Sequence, residues 1–138
     1  MLVAIAAKGH EHVDFSMDLS DVPRVVGDPV ALRRILENLT ANAVDSLQSK
    51  PGRITVTTEL VERNIIRTTV ADTGRGMSTE EAKRIFEDFY TTKERGTGLG
   101  LSIVRRLVMD LHGTIAVESA PGRGTRMIVD IPAGGPTH

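Results

Sequence analysis

The sequence contains no cysteine, which excludes disulfides, thiolate metal sites, iron–sulfur clusters and a cysteine nucleophile. A reducing compartment fits that absence, so the cytoplasm is the expected location, with room for a membrane anchor elsewhere in a longer parent protein. Aromatics are scarce: three Phe, one Tyr and no Trp leave no platform on which single-stranded bases could stack. Neither sign of charge is in excess. Seventeen basic and eighteen acidic side chains give a formal charge of -1, so a nucleic-acid backbone would meet no basic field. Long hydrophobic runs are also missing. The apolar opening at 1–7 is too short to cross a bilayer and has neither a basic n-region nor a cleavage pattern. It is expected to be the remnant of a preceding helix or linker, covering 1–11.

What is present is a chain of 138 residues, 40% hydrophobic, the size and composition of one globular domain. From 12 to 19, Val13, Phe15, Met17 and Leu19 alternate with polar residues, the period of a half-buried strand. Asp28-Pro29 is an N-cap followed by a first-turn proline, and Leu32, Ile35, Leu36, Leu39, Ala43 and Leu47 keep helical spacing to about Ser49. Pro51-Gly52 stops this helix. Two β-branched runs, at 54–58 and 65–71, then predict an antiparallel hairpin. Ser78 and Glu81 form a capping box for a second helix with a stripe of Ala82, Ile85, Phe86 and Phe89, ending near Phe89.

Residues 91–100 are polar and glycine-rich, as in a flexible loop that closes over a ligand. A third helix carries Leu101, Val104, Leu107, Val108 and Leu111 and ends at His112-Gly113, with Gly113 as the residue suited to a left-handed cap. Strands over 114–119 and 125–131 flank Pro121-Gly122. The helices are too few and too clustered for a doubly wound sheet, so three helices on one face of a mixed sheet are expected. The main domain would cover 12–132, followed by a flexible tail at 133–138.

Three constellations carry chemistry. Asn38 and Asn42 lie one helical turn apart, so their amides form either a site for an ion or polar ligand or a solvated stripe. Asp72 ends a strand and enters the turn Thr73-Gly74-Arg75-Gly76-Met77, where it could accept from an exocyclic amine or simply close an Asx turn. Gly96-Thr97-Gly98-Leu99-Gly100-Leu101 opens the third helix, and amides there suit a phosphate, the other reading being a sharp loop-to-helix entry. The residues before these glycines are polar, which fails the context for a dinucleotide fold. With no Gly-Lys dipeptide, a P-loop is excluded as well.

In order and spacing these segments resemble the ATP-binding catalytic domain of bacterial sensor histidine kinases, in the superfamily of gyrase, Hsp90, histidine kinases and MutL. Residues 37–43 look like the asparagine box, 72–76 the first glycine box, 85–89 the phenylalanine box, 96–100 the second glycine box and 122–125 the third. The resemblance covers about 13–132. It implies a two-layer α/β sandwich, a mixed five-stranded sheet with three helices on one face and a short mobile ATP lid.

It further implies that Asn42 ligates Mg²⁺, supported by Asn38, and that Asp72 accepts from the adenine amino group with Thr125 assisting. Gly74 and Gly76 would let backbone lie near the base. Asp45 and Met77 would complete the pocket, with Gly96, Thr97, Gly98, Leu99, Gly100 and Leu101 wrapping the triphosphate. Lys93 and Arg95 would be phosphate cations, while Phe86 and Phe89 would pack the lid. The superfamily's ATP hydrolases carry a water-activating Glu where this chain has Asn38, and an amide cannot act as a base. Transfer of the γ-phosphoryl to a protein nucleophile, rather than hydrolysis, is therefore expected, and the resemblance makes that nucleophile a histidine. The histidines here, His10, His12, His112 and His138, are poorly placed as acceptors, so the acceptor would sit on a separate helical dimerisation domain, with a response regulator downstream and this piece itself a monomer. The alternatives are a serine kinase of the anti-sigma type and a non-catalytic nucleotide-gated module.

Overall fold

The structure, a computed structural model, describes residues 13–19, 29–48, 50–62, 64–87 and 100–132. Its elements run β1 (Val13–Leu19), α1 (Pro29–Ser46), β2 (Gly52–Val61), β3 (Ile65–Asp72), α2 (Thr79–Arg84), α3 (Gly100–Asp110), β4 (Thr114–Ser119) and β5 (Thr125–Pro132). Strands β2, β3, β5 and β4 form an antiparallel sheet, and β1 lies parallel against β2, giving the order β1-β2-β3-β5-β4. The expected leading remnant at 1–11, the tail at 133–138 and lid residues 91–99 lie outside the described residues.

Strand period and helix period converge on one layer. Ile54 and Val56 of β2, Val70 of β3, and Met127, Val129 and Ile131 of β5 are buried at alternate positions, so they share one face of the sheet. Against that face α1 lays Ile35, Leu39, Ala43 and Leu47, and α3 adds Val104 and Val108. Helix α2 buries none of its own residues. It begins at the capping box, where Ser78 Oγ accepts from Glu81 N and Ser78 N donates to Glu81 Oε1, both at 3.1 Å, and it delivers buried Ile85 to the core just beyond its end. The other face of the sheet carries a bidentate ion pair, Arg67 to Asp130 at 2.8 and 2.9 Å.

Three local features differ from the periodicity. Helix α1 stops at Ser46 instead of about Ser49, because Leu47 N and Gln48 N bond back three residues, Gln48 takes φ 55°, and Leu47 turns into the core. Helix α2 ends at Arg84; Glu87 N bonding to Arg84 O turns the chain there, and Phe89 lies outside the described residues. At the end of α3 the left-handed residue is His112, φ 63°, not Gly113. Gly113 N reaches Val108 O and His112 N reaches Met109 O, the pair of bonds of a Schellman cap with the histidine at its left-handed position. Gly113 is required for another reason, since a Cβ there would run into the Asp130 carbonyl oxygen on β5.

Leu39 is fully buried between α1 and the sheet. Leu39→Ala is therefore expected to lower unfolding stability by about 2–5 kcal/mol, read as a reduced urea midpoint at unchanged slope.

Candidate functional site

Asp72 is the last residue of β3 and is 8% exposed. Its Oδ1 accepts from the Gly74 amide at 2.8 Å and from the Ser46 hydroxyl at 3.0 Å. Burial pushes its pKa above the ordinary carboxylate range, while the Gly74 amide, Ser46, the Thr125 backbone and the Arg75 charge pull the other way. The result is a desolvated acceptor held by donors from its own turn, from α1 and from β5.

The turn after Asp72 is laced to every neighbour. Thr73 N bonds Arg53 O at 3.1 Å, Arg75 N bonds Ser46 O at 3.0 Å, and Gly122 N bonds Arg75 O at 2.7 Å. Met77 N donates to Ser119 Oγ at 2.8 Å, and Arg75 reaches Glu81 at 3.2 Å. Glycine is obligatory here through the protein's own packing. A Cβ on Gly74 would meet Ser46, and one on Gly76, where φ is +70°, would meet the Ala120 carbonyl oxygen. Gly124, φ +77°, likewise backs onto the Asp72 carbonyl oxygen.

Thr125 pairs with Asp72 across β3·β5 and with Ser119 across β4·β5, so the three form one row on the helix-bearing face. Thr125 is 4% exposed and its Oγ1 lies 2.9 Å from Ser119 Oγ. Met77 belongs to the core beneath the turn. Asn38 and Asn42 are half-buried on α1, one position round from the core stripe of Leu39 and Ala43, and Ser46 continues their line by one more turn. The stripe 38–42–46 thus ends on the Asp72 carboxylate. Asp45 is exposed.

Gly100 is exposed at the first position of α3, and Leu101 packs against the core. Lys93, Arg95, Gly96, Thr97, Gly98 and Leu99 lie outside the described residues. Neither Ser46 nor Ser119 stands out in the sequence. The four-residue step from Asn42 could have marked Ser46, whereas Ser119 becomes visible only through the strand register.

The oxygen chemistry of the asparagine stripe fits a hard cation. Among the described residues no group of three His, Cys, Asp or Glu side chains forms a metal cage. A carboxamide oxygen is of the hard-donor type that Mg²⁺ takes.

Comparison with known proteins places this α/β sandwich, with its buried acceptor beside an asparagine-bearing helix. Residues 27–135 match the family of histidine kinase-, DNA gyrase B- and HSP90-like ATPases, and the chain belongs to that family. It is 39% identical over 112 residues to the sensor histidine kinase ZraS of Klebsiella oxytoca, covering 81% of this chain and 24% of that protein. The chain thus spans about a quarter of the length of that curated relative. Among solved structures, the nucleotide-free catalytic domain of histidine kinase ThkA superposes with a TM-score of 0.80 at 31% identity, covering 96% of this chain and 90% of that one. Full-length ShkA in complex with AMPPNP gives 0.82 at 30% identity, with 97% and 30% covered.

The raised pKa of Asp72 has a consequence for stability. Its folded value lies above its unfolded value, so its contribution is most favourable below the unfolded pKa and is lost as pH rises through the folded one. Asp72→Asn keeps an oxygen to accept from Gly74 and Ser46 and removes the buried charge. The variant is expected to melt above the parent at about pH 7, with the gap closing as the pH falls towards about 4. Glu81, held below the ordinary range chiefly by the Ser78 amide, responds in the opposite sense and is present in both proteins.

Proposed function

We propose that this domain binds MgATP and delivers the γ-phosphoryl to a histidine on a separate helical dimerisation and phosphoacceptor domain, as the catalytic part of a two-component sensor kinase. The observation that carries the reading is the desolvated, donor-pinned Asp72 at the end of an asparagine stripe, in a chain whose family is one of ATPases. The relationship to sensor histidine kinases and the AMPPNP complex of ShkA support it.

In this reading Asp72 accepts a hydrogen bond from the adenine 6-amino group. Thr125 lies beside it, and Met77 and Gly76 support the turn beneath the base. Asn42, with Asn38 behind it, supplies oxygen to Mg²⁺, which when bound neutralises charge on the phosphate oxygens. The lid residues Gly96, Thr97, Gly98, Leu99, Gly100 and Leu101 close over the triphosphate, with Lys93 and Arg95 as cations. Asp45 lies at the mouth of the site.

Phosphoryl transfer itself makes a bond from an imidazole nitrogen to the γ-phosphorus and breaks the bond from that phosphorus to the β,γ-bridging oxygen, so ADP leaves. A neutral imidazole already presents one nitrogen with a free lone pair, and no base is needed to expose it. Asn38 standing where a hydrolase would carry a base agrees with that requirement. Glu37, the nearest acid on α1, is engaged by Arg33 at 3.1 Å on the exposed side of the helix. Positioning and charge neutralisation then supply most of the catalysis. The response regulator acts downstream, this domain is a monomer, and it works in the cytoplasm. No described helix is long and apolar enough to cross a membrane.

Calorimetric titration with ATP, with GTP as control, tests binding. Asp72→Asn is expected to weaken ATP by about tenfold to a hundredfold, and unchanged affinity would overturn its assignment. Asn42→Ala is expected to abolish most of the Mg²⁺ dependence while leaving metal-free binding close to that of the parent. With a cognate helical domain and labelled ATP, acid-labile phosphoprotein is expected; acid-stable phosphate would move the acceptor to serine, and no phosphoprotein would leave a non-catalytic module.

A further inference from the structure

Three hydrogen bonds meet at the Ser119 hydroxyl. Met77 N donates to its oxygen at 2.8 Å, the Gly124 carbonyl oxygen lies 2.9 Å away, and Thr125 Oγ1 lies 2.9 Å away. A hydroxyl owns one proton and two lone pairs. Gly124 O can only accept, so the Ser119 proton must point to it. The Met77 amide occupies one lone pair, and Thr125 must donate its own proton to the other. Ser119 is then saturated, and the Thr125 hydroxyl is fixed in direction by the network.

The consequence falls on the row Asp72–Thr125–Ser119. With its proton turned towards β4, Thr125 Oγ1 has only lone pairs left to offer. It stands in register beside a carboxylate that, when ionised, also offers only lone pairs.

We infer that Ser119 is a specificity-determining positioning residue: by holding the Thr125 proton, it makes Asp72 and Thr125 a donor-free pair that accepts from a 6-aminopurine and rejects a 6-oxopurine. This rests on the reading of Asp72 as the adenine acceptor. The exocyclic amine of adenine brings protons to two oxygens that need them, whereas a carbonyl oxygen at ring position 6 would face lone pairs with no proton between. Ser119 acts entirely through Thr125.

The test compares ATP with inosine triphosphate, which carries oxygen at position 6 and lacks the 2-amino group of guanine. Affinities for both are measured calorimetrically on the parent chain, Ser119→Ala, Ser119→Thr, Thr125→Val, and Ser119→Ala combined with Thr125→Val. The parent is expected to prefer ATP, and Ser119→Ala to reduce that preference about tenfold, because Thr125 can then turn its proton to the oxo group. Ser119→Thr retains a hydroxyl and should retain the preference. In the Thr125→Val background, Ser119→Ala should change the ratio no further, since no hydroxyl remains to be oriented.

Equal weakening of both nucleotides at constant ratio would mark Ser119 as merely structural and overturn the proposal, as would a full-sized ratio change without the Thr125 hydroxyl. If the alanine variant does not fold, Ser119→Cys, with its weak S–H donor and acceptor, is expected to shift the ratio in the same direction, and an unchanged ratio there counts against the proposal. A parent chain indifferent to Asp72→Asn would sink the adenine reading itself and this proposal with it. ATP binding that is sensitive to Asp72 but blind to Ser119 sinks only the latter.

Discussion

A carboxylate that is 8% exposed has lost most of its water and must find donors in the protein, and Asp72 draws its donors from three parts of the chain. The Gly74 amide comes from its own turn, the Ser46 hydroxyl from the last residue of α1, and the Thr125 amide from β5. None could reach it unless helix, turn and sheet met within van der Waals contact. The glycines show how tight that meeting is, for Gly74 abuts Ser46 and Gly124 abuts the Asp72 backbone. The hydrophobic layer of Leu39, Ile54, Val70 and Met127 brings α1 and the sheet together, and the polar contacts at its edge determine where they stop.

That edge also explains why the site is built from two different kinds of element. The row Asp72–Thr125–Ser119 crosses three adjacent strands, so its spacing is set by backbone ladders and cannot drift without breaking the sheet. The stripe Asn38–Asn42–Ser46 runs along a helix, where eight residues advance about 12 Å. The two lines meet at the Ser46 to Asp72 bond. In the proposed reading, this corner would put the base at the sheet end and the phosphates and metal one to two helical turns along α1.

The elements themselves were legible because their periods are strong. The stripe of α1, the hairpin of β2 and β3, the Ser78–Glu81 capping box and the pair β4 and β5 all follow from alternation, helical spacing and turn residues. The ends were less legible, since they depend on contacts distant in sequence. Leu47 leaves the helix to fill the core, and the left-handed position falls on His112 while Gly113 lies against the Asp130 carbonyl oxygen. Asp72 and the asparagines stood out through resemblance and spacing. Ser46 and Ser119 did not, because a lone serine has no periodicity. Ser46 matters through a hydrogen bond to a residue 26 positions away, and Ser119 through three, to Met77, Gly124 and Thr125. The glycines of the first turn were legible as obligatory but for a different reason, a ligand being expected where the structure puts protein.

The same economy of polar groups bears on what reaction the domain can support. Asp72 accepts from its three donors, Glu37 on α1 is paired with Arg33, and Glu81 closes the cap of α2 and holds Arg75. Water or a serine hydroxyl would need a proton removed as it attacks, and an asparagine at position 38 cannot remove one. An imidazole nitrogen brings its own lone pair. The proposed histidine acceptor is compatible with an asparagine at position 38, and in that reading the rate depends on how the acceptor is brought to the phosphate.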